Sequence, residues 1–177
     1  MSTFRVFCLI VLASVGSLAH AGVMLDMNAG GTDLTALEVG DSFTVTVDLS
    51  GLTGELASLG GTIDVTSLLT VDPTSLTAEA IVPDPTDLVF GVFANEVDAQ
   101  FLASSGPNIT SNGEFYSFEL TASAVGSGTI AYVPFTVFAE DENFTPIFDI
   151  TTNTLDFTVS AGGNVVPDLP RWQRSRC

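Results

Sequence analysis

Nine consecutive residues, Ser42 to Ser50, alternate without a fault. Phe43, Val45, Val47 and Leu49 hold one parity, and Ser42, Thr44, Thr46, Asp48 and Ser50 hold the other. A period of two means an extended strand, because a helix would scatter the same side chains round its circumference. The β-branched and aromatic residue types agree, and Gly40 and Gly51 bound the run. One face is apolar and the other short and polar, so this strand has a core on one side and water on the other. A lone strand cannot bury such a face; a second layer must cover it.

The rest of the chain supplies that layer as further strands. A short strand is expected at 23–28, followed by a turn at 29–32, and 35–39 leads into the alternating run. Residues 51–59 read as a loop, with Gly60-Gly61 opening a strand at 62–66. Pro73 marks a turn at 71–75, a strand follows at 76–82, and Pro83 and Pro85 end it. Extended structure resumes at 88–92, and 95–104 reads as a strand in preference to a short helix. After a loop at 106–113, the stretch 114–122 alternates again, with Tyr116, Phe118 and Leu120 opposing Ser117, Glu119 and Thr121. A longer apolar strand spans 129–139, where Pro134 indicates an edge or a bulge. The last strand is 154–160. Eight or nine short strands with turn signals between them predict an all-β, antiparallel jelly-roll or immunoglobulin-like sandwich. Phe43, Val45, Val47, Leu49, Phe118, Leu120 and Phe157 belong to its core, and Tyr116 and Tyr132 are expected to pack there too.

The charge is as one-sided as the fold. Formal net charge is −17, with 21 acids against 4 Lys plus Arg, and none of the four is a lysine. Arg5 precedes the domain and Arg171, Arg174 and Arg176 follow it, so 22–170 holds no basic side chain. Nucleic acid and anionic membrane surfaces are excluded as partners, since each needs Lys or Arg to neutralise it. A 46% apolar content argues against disorder, and 177 residues suffice for one domain with a real core.

The first 21 residues read as a cleaved signal peptide. Arg5 gives the positive region, Val6 to Val15 the apolar stretch, and Ala19-His20-Ala21 the cleavage site. The expected product is secreted and begins at Gly22. Cys8 and His20 leave with the leader, and Cys177 remains as the one cysteine, which rules out an intramolecular disulfide. With no His or Lys in 22–170 and no Cys in the domain, the usual general bases, nucleophiles and zinc ligands are missing, and no enzyme is expected. Calcium is the cation such a chain would take, through carboxylate and carbonyl oxygens. Glu140, Asp141, Glu142 and Asn143 form one candidate loop, and Asp84 and Asp87 mark another. Carbohydrate stacking has few platforms, because Trp172, in the tail, is the single tryptophan.

Several motifs, taken in order, resemble a known family. Val39-Gly-Asp-Ser-Phe-Thr-Val-Thr-Val-Asp-Leu-Ser-Gly-Leu52 is similar to the second strand of cohesin-type modules. Leu59-Gly-Gly-Thr-Ile-Asp-Val65 resembles their next strand, and Leu69-Thr-Val-Asp-Pro-Thr-Ser-Leu76 their Asp-Pro turn. Gly113-Glu-Phe-Tyr-Ser-Phe-Glu-Leu-Thr-Ala122, followed by Gly126-Ser-Gly-Thr129, resembles their late hairpin. The resemblance covers roughly 23–160. It implies a nine-stranded jelly roll with a non-catalytic role, binding a dockerin-like protein partner or extracellular matrix through a sheet face. The alternatives are a carbohydrate-binding module for extracellular polysaccharide and a structural surface protein. No dockerin-contact motif stands in this sequence, so no contact residue carries over.

The expected division is a leader at 1–21, the sandwich at 22–161, and a Gly/Pro linker with a short basic tail at 162–177. Val166-Pro167 after the glycine linker resembles the start of a PEP-CTERM sorting signal, without that signal's apolar span. Deleting one base from codons for E-P-P-A-L-A-A-L-A-L can yield D-L-P-R-W-Q-R-S-R-C, the sequence from Asp168 to Cys177. The tail therefore reads either as a natural short tail or as a frameshifted sorting signal, and in the second case membrane attachment as an anchor lost with it.

Overall fold

In a computed structural model, residues 22–104 and 106–162 are described. The leader and tail expectations fall outside them. The strands are β1 (Val23–Asn28), β2 (Leu37–Glu38), β3 (Ser42–Ser50), β4 (Leu56–Asp64), β5 (Leu69–Val71), β6 (Thr77–Ala78), β7 (Leu88–Phe93), β8 (Glu96–Leu102), β9 (Gly113–Ala122), β10 (Gly126–Tyr132), β11 (Phe138–Asp141), β12 (Ile150–Thr152) and β13 (Thr154–Ser160). They form two sheets. The smaller runs β12-β1-β3-β9-β5 with β6 also on β9; the larger runs β2-β13-β10-β4-β8-β7 with β11 also on β4. The expected all-β sandwich is what the chain forms. Its pairings are antiparallel except where β12 joins β1 and β2 joins β13.

The alternating run behaves as its pattern dictates. Phe43, Val45, Val47 and Leu49 are buried, and so are Phe118, Leu120 and Phe157. On β9 a bulge near the start of the strand pairs Val47 with Tyr116 and Asp48 with Glu114, so Phe115 is the extra residue. Both Phe115 and Tyr116 are buried as a result. The Tyr116 ring meets Phe115 edge-on at 5.2 Å and Phe90 at 5.9 Å. Its hydroxyl lies 3.4 Å from that of Tyr132. Since Tyr116 is on β9 and Tyr132 on β10, this hydrogen bond joins the two sheets through the core. Burial pushes both phenols above the usual tyrosine range, Tyr116 further still through the nearby Tyr132.

The turns are closed by a recurring local device. In Asp33-Leu-Thr35, Asp72-Pro-Thr74 and Asp84-Pro-Thr86 the carboxylate accepts from the threonine amide and hydroxyl two residues on. These bonds hold all three carboxyls below the usual aspartate range, chiefly through the threonine side chain at Asp33 and Asp72 and through the threonine amide at Asp84.

Four sequence readings need correction. Residues 51–59 are not all loop: β4 begins at Leu56 and runs straight through Gly60-Gly61. The glycines permit close approach. A Cβ on Gly60 would stand 2.6 Å from the Ala99 carbonyl oxygen, and one on Gly61 would stand 3.0 Å from the Tyr132 ring. The strand expected at 76–82 shrinks to Thr77–Ala78, while Ile81 and Val82 bury themselves beyond it. The strand expected at 129–139 is two strands, β10 and β11, both against β4 and separated at Pro134. The expected count of about nine rises to thirteen segments through short pieces such as β2, β6 and β12.

Candidate functional site

The two outward sheet faces differ sharply. On the smaller sheet, β3 presents Ser42, Thr44, Thr46, Asp48 and Ser50, and β9 beside it presents Ser117, Glu119 and Thr121. Hydroxyls there bond across strands, as Ser42 does to Thr121 at 2.8 Å. That face is short, polar and solvated.

The larger sheet is built otherwise. Val97, Ala99 and Phe101 of β8 point inward and are fully buried, so Glu96, Asp98, Gln100 and Leu102 point outward. Opposite them on β7 stand Phe93, Gly91 and Val89, and on β4 stand Asp64, Thr62, Gly60 and Ser58. Phe138 and Glu140 of β11 lie over Gly60 and Ser58. Val89 and Phe93 are each 66% exposed, Leu102 51% and Phe138 37%.

The two glycines shape this face. Phe93 lays its ring across Gly91, with Cε2 only 2.6 Å from where a Cβ would stand, and Phe138 lays its ring over Gly60 at 3.0 Å. Two aromatic pads result, on β7 and β11, with a polar strip of Gln100, Asp98 and Thr62 between them. Phe93 stands in the row of Asp64 and Phe138 in the row of Gly60, so three strand spacings, about 14 Å, and an offset of about 13 Å along the strands separate them, roughly 19 Å on the diagonal, room for one α-helix of about 10–12 Å diameter with its side chains. The carboxylates along the strip are held in place: Asp98 accepts from the Thr62 hydroxyl at 3.2 Å and the Gln100 amide at 3.1 Å. Ser58, a buried polar residue, donates to Glu140 at 2.8 Å, and Thr129 donates to Asp156 at 2.8 Å. The face therefore offers apolar anchors with fixed negative charge between and beside them.

Of the calcium candidates, Glu140 turns toward β4 while Asp141, Glu142 and Asn143 share one turn. Glu140 bonds to Ser58 on β4, whereas Asp141 accepts from the amides of Asn143 and Thr145, each at 2.8 Å. Asn143 donates to Glu142 at 3.2 Å. Asp84 is turned onto Thr86, and Asp87 receives a long bond of 3.4 Å from Ser104. Among the described residues, no three His, Cys, Asp or Glu side chains converge as a metal site. Tyr116 and Tyr132 are buried, so neither serves as a sugar platform.

The sequence reading singled out none of Val89, Phe93, Leu102 and Phe138. A signal was there: Leu88-Val-Phe-Gly-Val-Phe93 is apolar on both parities, so a single inward face does not account for all of its side chains.

No protein-family model matches this chain, and no curated protein sequence matches it. Solved structures do. The CaCohA2 cohesin, solved in a complex with CaDoc0917, is similar with a TM-score of 0.65 at 16% identity, over 78% of this chain and 99% of that one. The sixth cohesin of scaffoldin B from Acetivibrio cellulolyticus, solved with the Cel5 dockerin, gives 0.63 at 19% identity, over 79% and 99%. A non-cellulosomal cohesin from the archaeon Archaeoglobus fulgidus gives 0.59 at 12% identity, over 80% and 93%. The chain thus has the cohesin-type sandwich fold.

Proposed function

We propose that this chain is an exported, non-catalytic protein-binding module that takes a helical, dockerin-like partner on the outer face of the larger sheet. One observation carries the reading: Phe93 and Phe138 stand exposed on either side of a polar strip ordered around Asp98, on one sheet face and not on the other. The similar structures support the partner class, since two of those described were solved with dockerins. A non-catalytic role is supported by the absence of His and Lys from 22–170. Export rests on the leader at 1–21, and the division into sandwich (22–161) and tail (162–177) rests on composition. Among the described residues no helix is long and apolar enough to cross a membrane. The tail is proposed as a frameshifted sorting signal, and reading the gene beyond Pro167 in the alternate frame checks it.

Titration calorimetry of the full chain against purified dockerins, CaDoc0917 first, tests the site. Binding should weaken by about 2 kcal/mol or more, roughly thirtyfold, in Phe93→Asp and Phe138→Asp, the size expected of interface anchors. Dockerin binding that both variants leave intact would remove this face from consideration, and no binding by any dockerin would remove the partner class.

A further inference from the structure

A second apolar surface lies beside that face, at the segment leading into β11. Beyond Tyr132 the chain leaves β10, and Pro134 prevents it from pairing on. Phe135 follows with a φ of 66°, in the left-handed region that a bulky residue rarely adopts, and its side chain is fully exposed. Phe148, before β12, is 92% exposed. With Pro134, Val137, Ile147 and Ile150 these two rings line a groove of about 300 Å³. It lies at the seam between the sheets. One wall is β12, the end strand of the smaller sheet, which pairs with β1 and with no other strand among those described.

Two features say what would fill it. An end strand with one open edge accepts an extended segment by main-chain hydrogen bonding, and an apolar wall beside it selects alternate side chains. Charge decides the rest. Asp149 and Phe148 line the adjoining cleft, Glu142 is exposed on the preceding turn, and no Lys, Arg or His lies anywhere in 22–170. A second copy would bring the same negative charge and be repelled.

We propose that this seam docks an extended, cationic segment of a partner protein. Its backbone pairs with the open edge of β12, an apolar side chain sits between Phe135 and Phe148, and Lys or Arg residues flank that side chain toward Asp149 and Glu142. Neither Phe93 nor Phe138 lines this surface.

The test uses the full chain and labelled octapeptides in which Arg alternates with Phe, Val or Ile, with a matched set carrying Glu for Arg, read by fluorescence polarisation. The Arg set should bind in the micromolar range and weaken at least tenfold between about 20 mM and about 500 mM salt. Phe135→Ser and Phe148→Ser should abolish it while melting as the wild type does, and Phe93→Asp should leave it unchanged. The proposal is overturned if no Arg peptide binds below about 1 mM, if the Glu set binds equally, or if the serine variants bind normally. Sedimentation that shows a wild-type dimer lost in those variants would overturn it in favour of a second copy.

Discussion

The domain between Gly22 and Pro170 lacks His, Lys and Cys, so its titration in the alkaline range rests on two side chains, Tyr116 and Tyr132. Both phenols are buried and their ionisation is pushed up from the ordinary value near 10. The sign follows directly. Above pH 10 the unfolded chain releases these protons while the folded one keeps them, so the unfolded state is favoured as pH rises. Each phenol removes up to about 1.4 kcal/mol of stability per pH unit in that window, and two remove up to about 2.7. The stability is fully present below pH 10. Urea unfolding measured from pH 8 to 11 should therefore show a flat midpoint, then a steep fall. Replacing both residues by Phe should abolish the fall and cost little at pH 8, since both partners of the 3.4 Å bond disappear together. Tyr132→Phe alone strands the fully buried Tyr116 hydroxyl and should cost about 1–3 kcal/mol. A wild type indifferent to pH between 9 and 11, or a double variant that still falls, would refute the argument.

Two further outcomes are expected. The carboxyls of Asp33, Asp72 and Asp84 are held down by their threonines, so their contribution is present above about pH 3.8 and lost below it; replacing Thr35, Thr74 and Thr86 by Val should move acid unfolding to higher pH, as followed by circular dichroism. Sodium chloride should raise the melting temperature by screening carboxylates that no Lys or Arg of the domain neutralises, and calcium at matched ionic strength should add nothing further in scanning calorimetry, because Glu140 is turned to Ser58 and, among the described residues, no three acidic side chains converge.

Strand positions were legible wherever one parity was apolar and the other polar. The run Ser42–Ser50 and the later one from Tyr116 announce their inward faces, and the bounds of β1, β3 and β13 coincide with those read from the sequence. Where both parities read alike, periodicity had nothing to report. Gly60-Gly61 looked like a boundary because glycine usually ends a strand; here it lies within one because Ala99, Phe138 and Tyr132 crowd in from neighbouring strands. Those neighbours are about 40 to 80 residues away, beyond the reach of any local pattern. Phe115 escaped for a similar reason, since a bulge breaks the parity on which the reading depends. The sheet face was legible only as an anomaly of composition at 88–93. Its assembly from β7, β8, β4 and β11 is a matter of register between distant strands.

The one-signed chemistry of the domain has a consequence for anyone handling it. A protease that cuts after Lys or Arg finds no bond to cut from Val6 through Pro170, folded or not. Trypsin would release this domain whole from any longer assembly, and its survival would report sequence rather than stability. Reagents that label amines would pass over its surface for want of lysine. Proteases that cut beside aromatic residues tell the two states apart. Phe135 and Phe148 stand open in the native chain, while Phe101, Phe115 and Phe118 are reached only once the sandwich comes apart.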